Sequence, residues 1–344
     1  MHKDLVIVTG GSGYIGSHTI IELLNNGFEV VSIDNFSRSS KKTFDLIKNI
    51  TGQQVKNFEI DVCNAVEVDT VFEQLQHAVG LIHFAAFKSV PESISSPETY
   101  YYNNLFSLVN VLTSSKKHKI NNIVFSSSCS VYGDIKELPV SEQTTLSAPK
   151  SPYASTKIIG EKIVADICQL HKINAMCLRY FNPVGAHPSG LIGEMPLNRP
   201  DNLVPVITQT AIGKRDSMAV FGGKLNTRDG SCIRDYVHVT DIANAHVLAL
   251  QCLQGKEGVF EIINLGTGSG VSVFEAIETF EKVSGVKLNY KVTEPREGDV
   301  IEIYSDTEKA KRVVGWQAKY DISEMMSSAW KWEVHLAQVE VGNI

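Results

Sequence analysis

The sequence predicts an α/β protein: a doubly wound parallel sheet with a smaller α/β domain behind it in the chain. Three observations carry that prediction. Short apolar runs alternate with helix-periodic segments through the first half. A glycine-rich turn joins the first run to the first helical segment. After Phe181 the texture changes to a long stretch rich in Gly, Pro and Asn.

The runs "LVIVTG", "EVVSID", "NFEIDV", "LIHFAA", "NIVFSSS" and "NAMCLRYF" read as buried parallel strands. Between them lie "SHTIIELLNNG", "AVEVDTVFEQLQH", "YYYNNLFSLVNVLTSSKKHK" and "ASTKIIGEKIVADICQLHK", which have helical periodicity. "NPVGAHPSGLIGEMPLNRPDN" then reads as a long loop of the kind that carries function. Beyond it the sequence predicts a helix at "LVPVITQTAIGK", loops at "FGGKLNTRDGS" and a helix at "TDIANAHVLALQCLQG". A strand at "VFEIINLG", a helix at "SVFEAIETFEKVSG" and a short C-terminal portion follow. We divide the chain into residues 1–182 and 183–344, with some elements of the second part packing back on the first sheet.

The chain has 344 residues, 43% hydrophobic and 20% charged, enough for a large core. A net charge of −6 offers no electrostatic footprint for nucleic acid or an anionic membrane. An anionic small ligand remains open, since a few arginines in a cleft suffice. The six cysteines, Cys63, Cys129, Cys168, Cys177, Cys232 and Cys252, form no C-x-x-C pair and read as reduced thiols of a cytoplasmic protein. No signal-like start and no apolar run of membrane-spanning length is present in the sequence. The histidines are scattered without metal-binding spacing, and no metal is assigned.

The turn "VTGGSGYIGSH" contains Gly11-x-Gly13-x-x-Gly16 and also Gly10-x-x-Gly13-x-x-Gly16. Placed between a strand and a helix, such glycines let the backbone approach a pyrophosphate at the positive helix N-terminus, as in the Rossmann dinucleotide fold. Three glycines alone are a weak signal; their context makes them informative. Asp34 ends the second predicted strand, where a carboxylate bonds the adenosine ribose hydroxyls and favours NAD over NADP. Arg38 pulls the other way, since an arginine nearby accepts a 2′-phosphate. Asp61 either caps a turn or reaches the adenine.

Ser128 ends the fifth predicted strand, and "SPYASTK" opens the next helix with Tyr153 and Lys157 four residues apart. That spacing stacks the two side chains on one helix face. Ligands of open parallel sheets bind outside the strand C-termini, so the three residues converge where a nicotinamide would lie. A free phenol titrates near 10. A lysine ammonium together with a positive nicotinamide ring favours the phenolate, which makes Tyr153 a candidate base. Ser128 can share the proton of a substrate hydroxyl.

Beyond these groups, "VTGGSGYIGSHT", "HFAAFKSVPES", "FSSSCSVYG", "SPYASTK", "LRYFNPVGAHPSG", "RDSMAVFG", "IRDYVHVTD", "INLGTG" and "REGD" span almost the whole chain. In these the sequence resembles the extended short-chain dehydrogenase/reductase superfamily, and within it the UDP-glucose/UDP-galactose 4-epimerases. The resemblance implies tightly bound NAD and an isomerase. Tyr153 would take the proton of the sugar 4-hydroxyl while hydride passes from C4 to the cofactor. The 4-keto sugar would turn about its diphosphate, and hydride would return to the other face. It implies Tyr14, Ile15, Asp34, Asn35, Arg38, Ser39, Asp61 and Val62 at the adenosine end. Phe84, Ala85, Lys88, Asn103, Ser128, Tyr153, Lys157 and Phe181 would continue the cofactor site. Asn182, Asn202, Leu203, Ala219, Phe221, Arg234, Tyr236, Arg296 and Asp299 would hold the UDP-sugar, the two arginines suiting a diphosphate.

One departure concerns Ile303, which falls where some relatives carry tyrosine and others a smaller residue beside the sugar's 2-substituent. Its size predicts room for an N-acetyl group, and so interconversion of UDP-GlcNAc and UDP-GalNAc as well. The rivals are a sugar-nucleotide 4,6-dehydratase and a non-catalytic NAD-sensing binding protein. The dehydratase needs an acid pair where this chain has Cys129 and Ser130. The sensor has no use for Tyr153 and Lys157. The resemblance also implies a homodimer built on helices near Pro97–Lys119 and Tyr153–His171.

Overall fold

The computed structural model describes residues 3–197, 199–295 and 300–342. Strand and helix alternate from the start: β1 (Leu5–Thr9), α1 (Tyr14–Asn25), β2 (Glu29–Ile33), α2 (Lys42–Thr51), β3 (Lys56–Phe58), α3 (Ala65–Gln74) and β4 (Gly80–His83). Three helices follow, α4 (Val90–Ser95), α5 (Pro97–Tyr101) and α6 (Ser107–Lys117), and then β5 (Asn122–Ser128), α7 (Pro152–His171) and β6 (Asn174–Tyr180). The second half runs through β7 (Asn182–Val184), α8 (Leu203–Ala211), β8 (Met218–Phe221), β9 (Ile233–His238), α9 (Val239–Leu253) and β10 (Phe260–Leu265). It closes with β11 (Gly270–Ser272), α10 (Val273–Ser284), β12 (Tyr290–Thr293), β13 (Glu302–Ile303), α11 (Glu308–Val314) and α12 (Ile322–Gly342).

Seven strands form one sheet in the order β10-β6-β5-β4-β1-β2-β3, and every neighbouring pair is parallel. This is the expected doubly wound arrangement. The order reverses between β1 and β4, which opens a ligand crevice beyond the strand C-termini. Alternation along β1 shows why both faces must be covered. Val6 and Val8 join a core with Ile20 and Leu23 of α1 and Ile242 and Ala245 of α9. Leu5 and Ile7 join the opposite core with Val71 of α3, Leu112 of α6 and Val164 of α7. Thus α9 and β10, both from beyond residue 183, complete the layers of the first sheet.

The rest of the second half packs around a third core, in which Val204, Met218, Tyr236, Phe280, Met326 and Ala329 meet. β9 is flanked by β11 and β13 and also pairs with β7, while β8 pairs with β12. These short strands were absent from the sequence prediction. So was α12, predicted only as a short tail, although Met325, Met326, Ala329 and Trp332 recur on one helical face and are all buried.

The helix predicted over 100–119 is interrupted. A π-helical turn, Tyr102–Phe106, separates α5 from α6. The "NFEIDV" strand is shorter than predicted, ending at Phe58, so Asp61 sits in the turn before α3.

Candidate active site

The glycine turn is built by close packing. Gly10 has φ +71, and a Cβ there would lie 2.8 Å from the Ala85 nitrogen; at Gly16 it would lie 2.3 Å from the Gly10 oxygen. No side chain fits at either place. Gly13 is the N-cap of α1, whose first turn carries no acidic residue. The first-turn N–H groups therefore have no side-chain cap and no acidic residue within their own turn, which suits a pyrophosphate.

At the end of β2 the Asp34 carboxylate accepts bonds from the Ser12 N–H (3.0 Å), the Phe36 N–H (2.9 Å) and the Ser39 hydroxyl (3.0 Å). Ser39 also meets the Ser12 hydroxyl. Asp34 therefore ties the glycine turn to the loop after β2 while keeping lone pairs for ribose hydroxyls. Ser12, buried beneath this tie, was absent from the residues expected at the site. Asn35 accepts the Ser37 N–H. Arg38 pairs with Glu92 and stacks over Phe87 at 4.5 Å, so its guanidinium is engaged away from Asp34.

Asp61 is exposed and accepts the Cys63 N–H at 2.8 Å; the Val62 carbonyl accepts from Asn110. Phe84 packs on His246, and Ala85 abuts Gly10. Lys88 pairs with Glu194 and lies 5.9 Å from the Tyr14 ring, whose hydroxyl donates to the Gly185 carbonyl at 2.6 Å. Ile15 packs partly buried against the core. Asn103 lies in the π-helical turn and donates to Asn104. Phe181 is buried beside Tyr132.

Ser128 ends β5 because its hydroxyl caps the 3-10 turn Cys129–Tyr132, accepting the Ser130 N–H at 3.2 Å. Ser151 caps α7 by accepting the Ala154 N–H, and Pro152 follows in the first turn. Tyr153 is thereby placed in the first turn and Lys157 in the next. Burial pushes the Tyr153 phenol up to about 12, against the Ser128 hydroxyl, which lowers it. Burial also pushes Lys157 down to about 8, opposed by Glu161 and Cys177. The Lys157 ammonium lies 5.8 Å from the Tyr153 ring and donates to the Ser126 carbonyl at 2.6 Å. In the chain by itself burial outweighs the Ser128 hydroxyl, and the phenol keeps its proton.

On the other side of the crevice, Asn182 opens β7 opposite Tyr236 of β9, and Arg234 of β9 lies opposite Ile303 of β13. The Asn182 Oδ1 is buried with no hydrogen-bond partner among the described residues. Arg234 donates to the Ile233 carbonyl (2.9 Å) and the Ile301 carbonyl (3.3 Å). Tyr236 and Ile303 are buried. Asn202 stands at the N-cap position of α8 without a side-chain cap bond, and Leu203 begins the helix. Ala219 and Phe221 share one face of β8, and Met218 and Val220 fill the core on the other. Arg296 and Asp299 lie outside the described residues. Asp235 was also missed: fully buried, it accepts bonds from Thr267, Gly268 and Ser305 and so holds β9 in place between Arg234 and Tyr236.

The family model for GDP-mannose 4,6 dehydratase matches residues 7–329. A UDP-glucose 4-epimerase from Dictyostelium discoideum is 43% identical over 331 residues, covering 96% of each chain. The chain belongs to the UDP-glucose 4-epimerase family. Solved members superpose on it closely. The enzyme from Stenotrophomonas maltophila, crystallised with NAD and formylated UDP-arabinopyranose, has a TM-score of 0.94 at 38% identity, covering 98% of this chain and 100% of its own. That from Bifidobacterium longum, in complex with NAD+ and UDP, has a TM-score of 0.92 at 42% identity, covering 96% and 98%. The family expected from the motifs is the family found. Among the described residues of this family member, no helix is long and apolar enough to cross a membrane.

Proposed function

We propose that this protein interconverts UDP-glucose and UDP-galactose by inverting the sugar's C4, with NAD retained through the cycle. The observation that carries this reading is Tyr153 beside Ser128, with Lys157 one helical turn on, at the open edge of a sheet whose glycine turn fits a dinucleotide. Whole-length similarity to epimerases supports it. NAD, when bound, supplies a reversible two-electron acceptor for the sugar's C4–H bond.

The chain's residues do the rest. Tyr153 takes the proton of the 4-hydroxyl and gives it back, and Ser128 shares it. Because burial holds the phenol near 12, its activation draws on positive charge brought into the site as well as on Lys157. With NAD bound, the Lys157 ammonium, one donor of which is on the Ser126 carbonyl, would have two more for the ribose hydroxyls. Asn182, Arg234 and Tyr236 hold the sugar nucleotide, with Asn202, Leu203, Ala219, Phe221, Arg296 and Asp299 completing its site. Functionally the chain divides near residue 182, with the cofactor on residues before it and the sugar nucleotide on residues after it.

The test is to incubate purified protein, without added NAD, with UDP-glucose, UDP-galactose, UDP-GlcNAc and UDP-GalNAc separately. Interconversion of the first pair is expected. Loss of water from the sugar would favour a dehydratase, and absence of turnover a sensor. Cys129 and Ser130 argue against the dehydratase, since burial pushes the Cys129 thiol up to about 12 and keeps it uncharged. Ile303, across from Arg234, supports acceptance of the N-acetylated pair too. Ile303→Tyr should lower turnover of that pair relative to the plain sugars; an unchanged ratio refutes this part.

A homodimer is the assembly proposed. Tyr101, Tyr102, Phe106 and Val109 around α5 and α6, and Ile159 on α7, are large apolar side chains left exposed. Cytoplasmic residence is proposed from the six free thiols.

A further inference from the structure

Behind the candidate catalytic residues lies a charged network that the reaction as described does not use. Glu161 stands on α7 four residues after Lys157, on the same helix face. Its side chain is 7% exposed, and that of its partner Arg179, on β6, is 4% exposed. Arg179 donates to Glu161 twice, from Nε to Oε1 at 2.8 Å and from Nη2 to Oε2 at 2.6 Å. The Ser127 hydroxyl of β5 also donates to Oε1, at 2.5 Å. Arg179 reaches on to the Tyr132 hydroxyl at 3.1 Å, which donates to Asn264 of β10 at 2.6 Å.

We propose that Glu161 is a positioning residue of the reaction, acting through Lys157 and through the end of β5 that carries Ser128. The inference rests on the epimerase reading.

Two rungs join α7 to consecutive residues of β5. Lys157 bonds the Ser126 carbonyl, and Glu161 bonds the Ser127 hydroxyl. Ser128 is the next residue, and Tyr153 lies one turn before Lys157 on the same helix. The rungs therefore set the distance between Ser128 and the Tyr153–Lys157 face. Gly160 permits the close approach: a Cβ there would lie 2.8 Å from the Phe125 ring. Without Glu161 one of the two rungs is lost, and the other rests on a Lys157 ammonium whose remaining donors also have a ribose to serve.

The second effect is charge. Lys157 is faced by Tyr153 and Glu161 from α7, Cys177 from β6 and His83 from β4. Burial keeps the Tyr153 phenol, the Cys177 thiol and the His83 imidazole neutral at pH 7. Glu161 is the carboxylate in that set. Its charge favours the ammonium form of a buried lysine that desolvation would otherwise discharge. Arg179 balances Glu161 on the far side through two hydrogen bonds.

The test uses the full chain with its retained cofactor and three variants: Glu161→Gln, the double variant Glu161→Met with Arg179→Met, and Ser127→Ala. The double variant replaces the buried pair by apolar side chains of similar length, an exchange that buried ion pairs tolerate. It stands in if Glu161→Gln fails to fold. Two readings are taken: the titration of the Lys157 ammonium by lysine side-chain NMR, and the pH dependence of kcat with UDP-glucose. Loss of the carboxylate should lower the Lys157 titration, and the alkaline limb of kcat with it, by about one pH unit. Ser127→Ala keeps the ion pair and cuts the rung; its kcat should fall about tenfold with KM unchanged. Unmoved titration and unmoved limb in a folded variant overturn the charge role. Unchanged kcat in Ser127→Ala overturns the tether. A wild-type protein that turns over none of the UDP-sugars refutes the epimerase reading instead, while the Lys157 titration still decides whether Glu161 sets its charge.

Discussion

On the cofactor side, Asp34, Ser12 and Ser39 are bonded to one another and the glycine turn is packed to the limit of a missing Cβ. On the proposed sugar side, the buried Asn182 oxygen has no partner among the described residues and Arg234 leans on two backbone carbonyls. The first side is braced by its own bonds before a ligand arrives, with open capacity at the uncapped start of α1 and on Asp34. The second leaves a buried polar atom open among the described residues, as a site for a polar ligand would. That difference matches a group that stays and a substrate that comes and goes, because preorganisation lowers the ordering cost of binding and slows release.

The strongest way to break the comparison is at the junction of the two sides. Tyr153→Phe removes the phenolic hydroxyl and should reduce epimerisation about 10²–10⁴-fold while leaving retained NAD in place. Separated UDP-sugar products and the cofactor released on denaturation measure the two effects. Near-normal turnover would remove Tyr153 from its role.

Acid tests the foundations of both sides. Burial holds His18 and His83 at about 3 and His238 and His246 at about 4. The unfolded chain binds these protons near the ordinary value of about 6.5. Between those limits the unfolded state holds more protons, so stability falls as pH drops below about 6.5. The melting temperature should be more than about 5 °C lower at pH 5 than at pH 7.5. Three of these histidines lie under the cofactor side: His18 on α1, His83 bonded to Thr9, and His246 packed on Phe84. A flat profile would contradict their neutral burial.

Two milder substitutions separate the sides. Gly16→Ala forces a methyl against the Gly10 carbonyl at 2.3 Å, and the turn has to shift. Purified protein should then carry clearly less than one NAD per chain, with a stability loss of about 1–3 kcal/mol. Full NAD content would show that the turn is looser than its packing indicates. Asn182→Ala removes a single unsatisfied acceptor. KM for UDP-glucose should rise about 3–10-fold with NAD content unchanged. A loss of NAD instead would mean that the two sides are one unit.

The alternation of strands and helices, the glycine turn, Asp34, and the Ser128, Tyr153 and Lys157 set were legible in the sequence. Each rests on a local rule: strand and helix periods, a turn that excludes side chains, a four-residue spacing that puts Tyr153 and Lys157 on one helix face. Family motifs carried the sugar-side residues, which local patterns alone would not have found. Ala219 and Phe221 sit on a strand of four residues, and Ile303 on one of two, too short for any period to show. Only the tertiary structure decided how β7, β9 and β13 bring Asn182, Tyr236, Arg234 and Ile303 side by side, since each pairing joins residues more than fifty positions apart. It also decided the charge states. Periodicity places Tyr153 and Lys157 on one face, but their protonation depends on how much protein surrounds them and on Glu161 and Ser128, which reach them through packing.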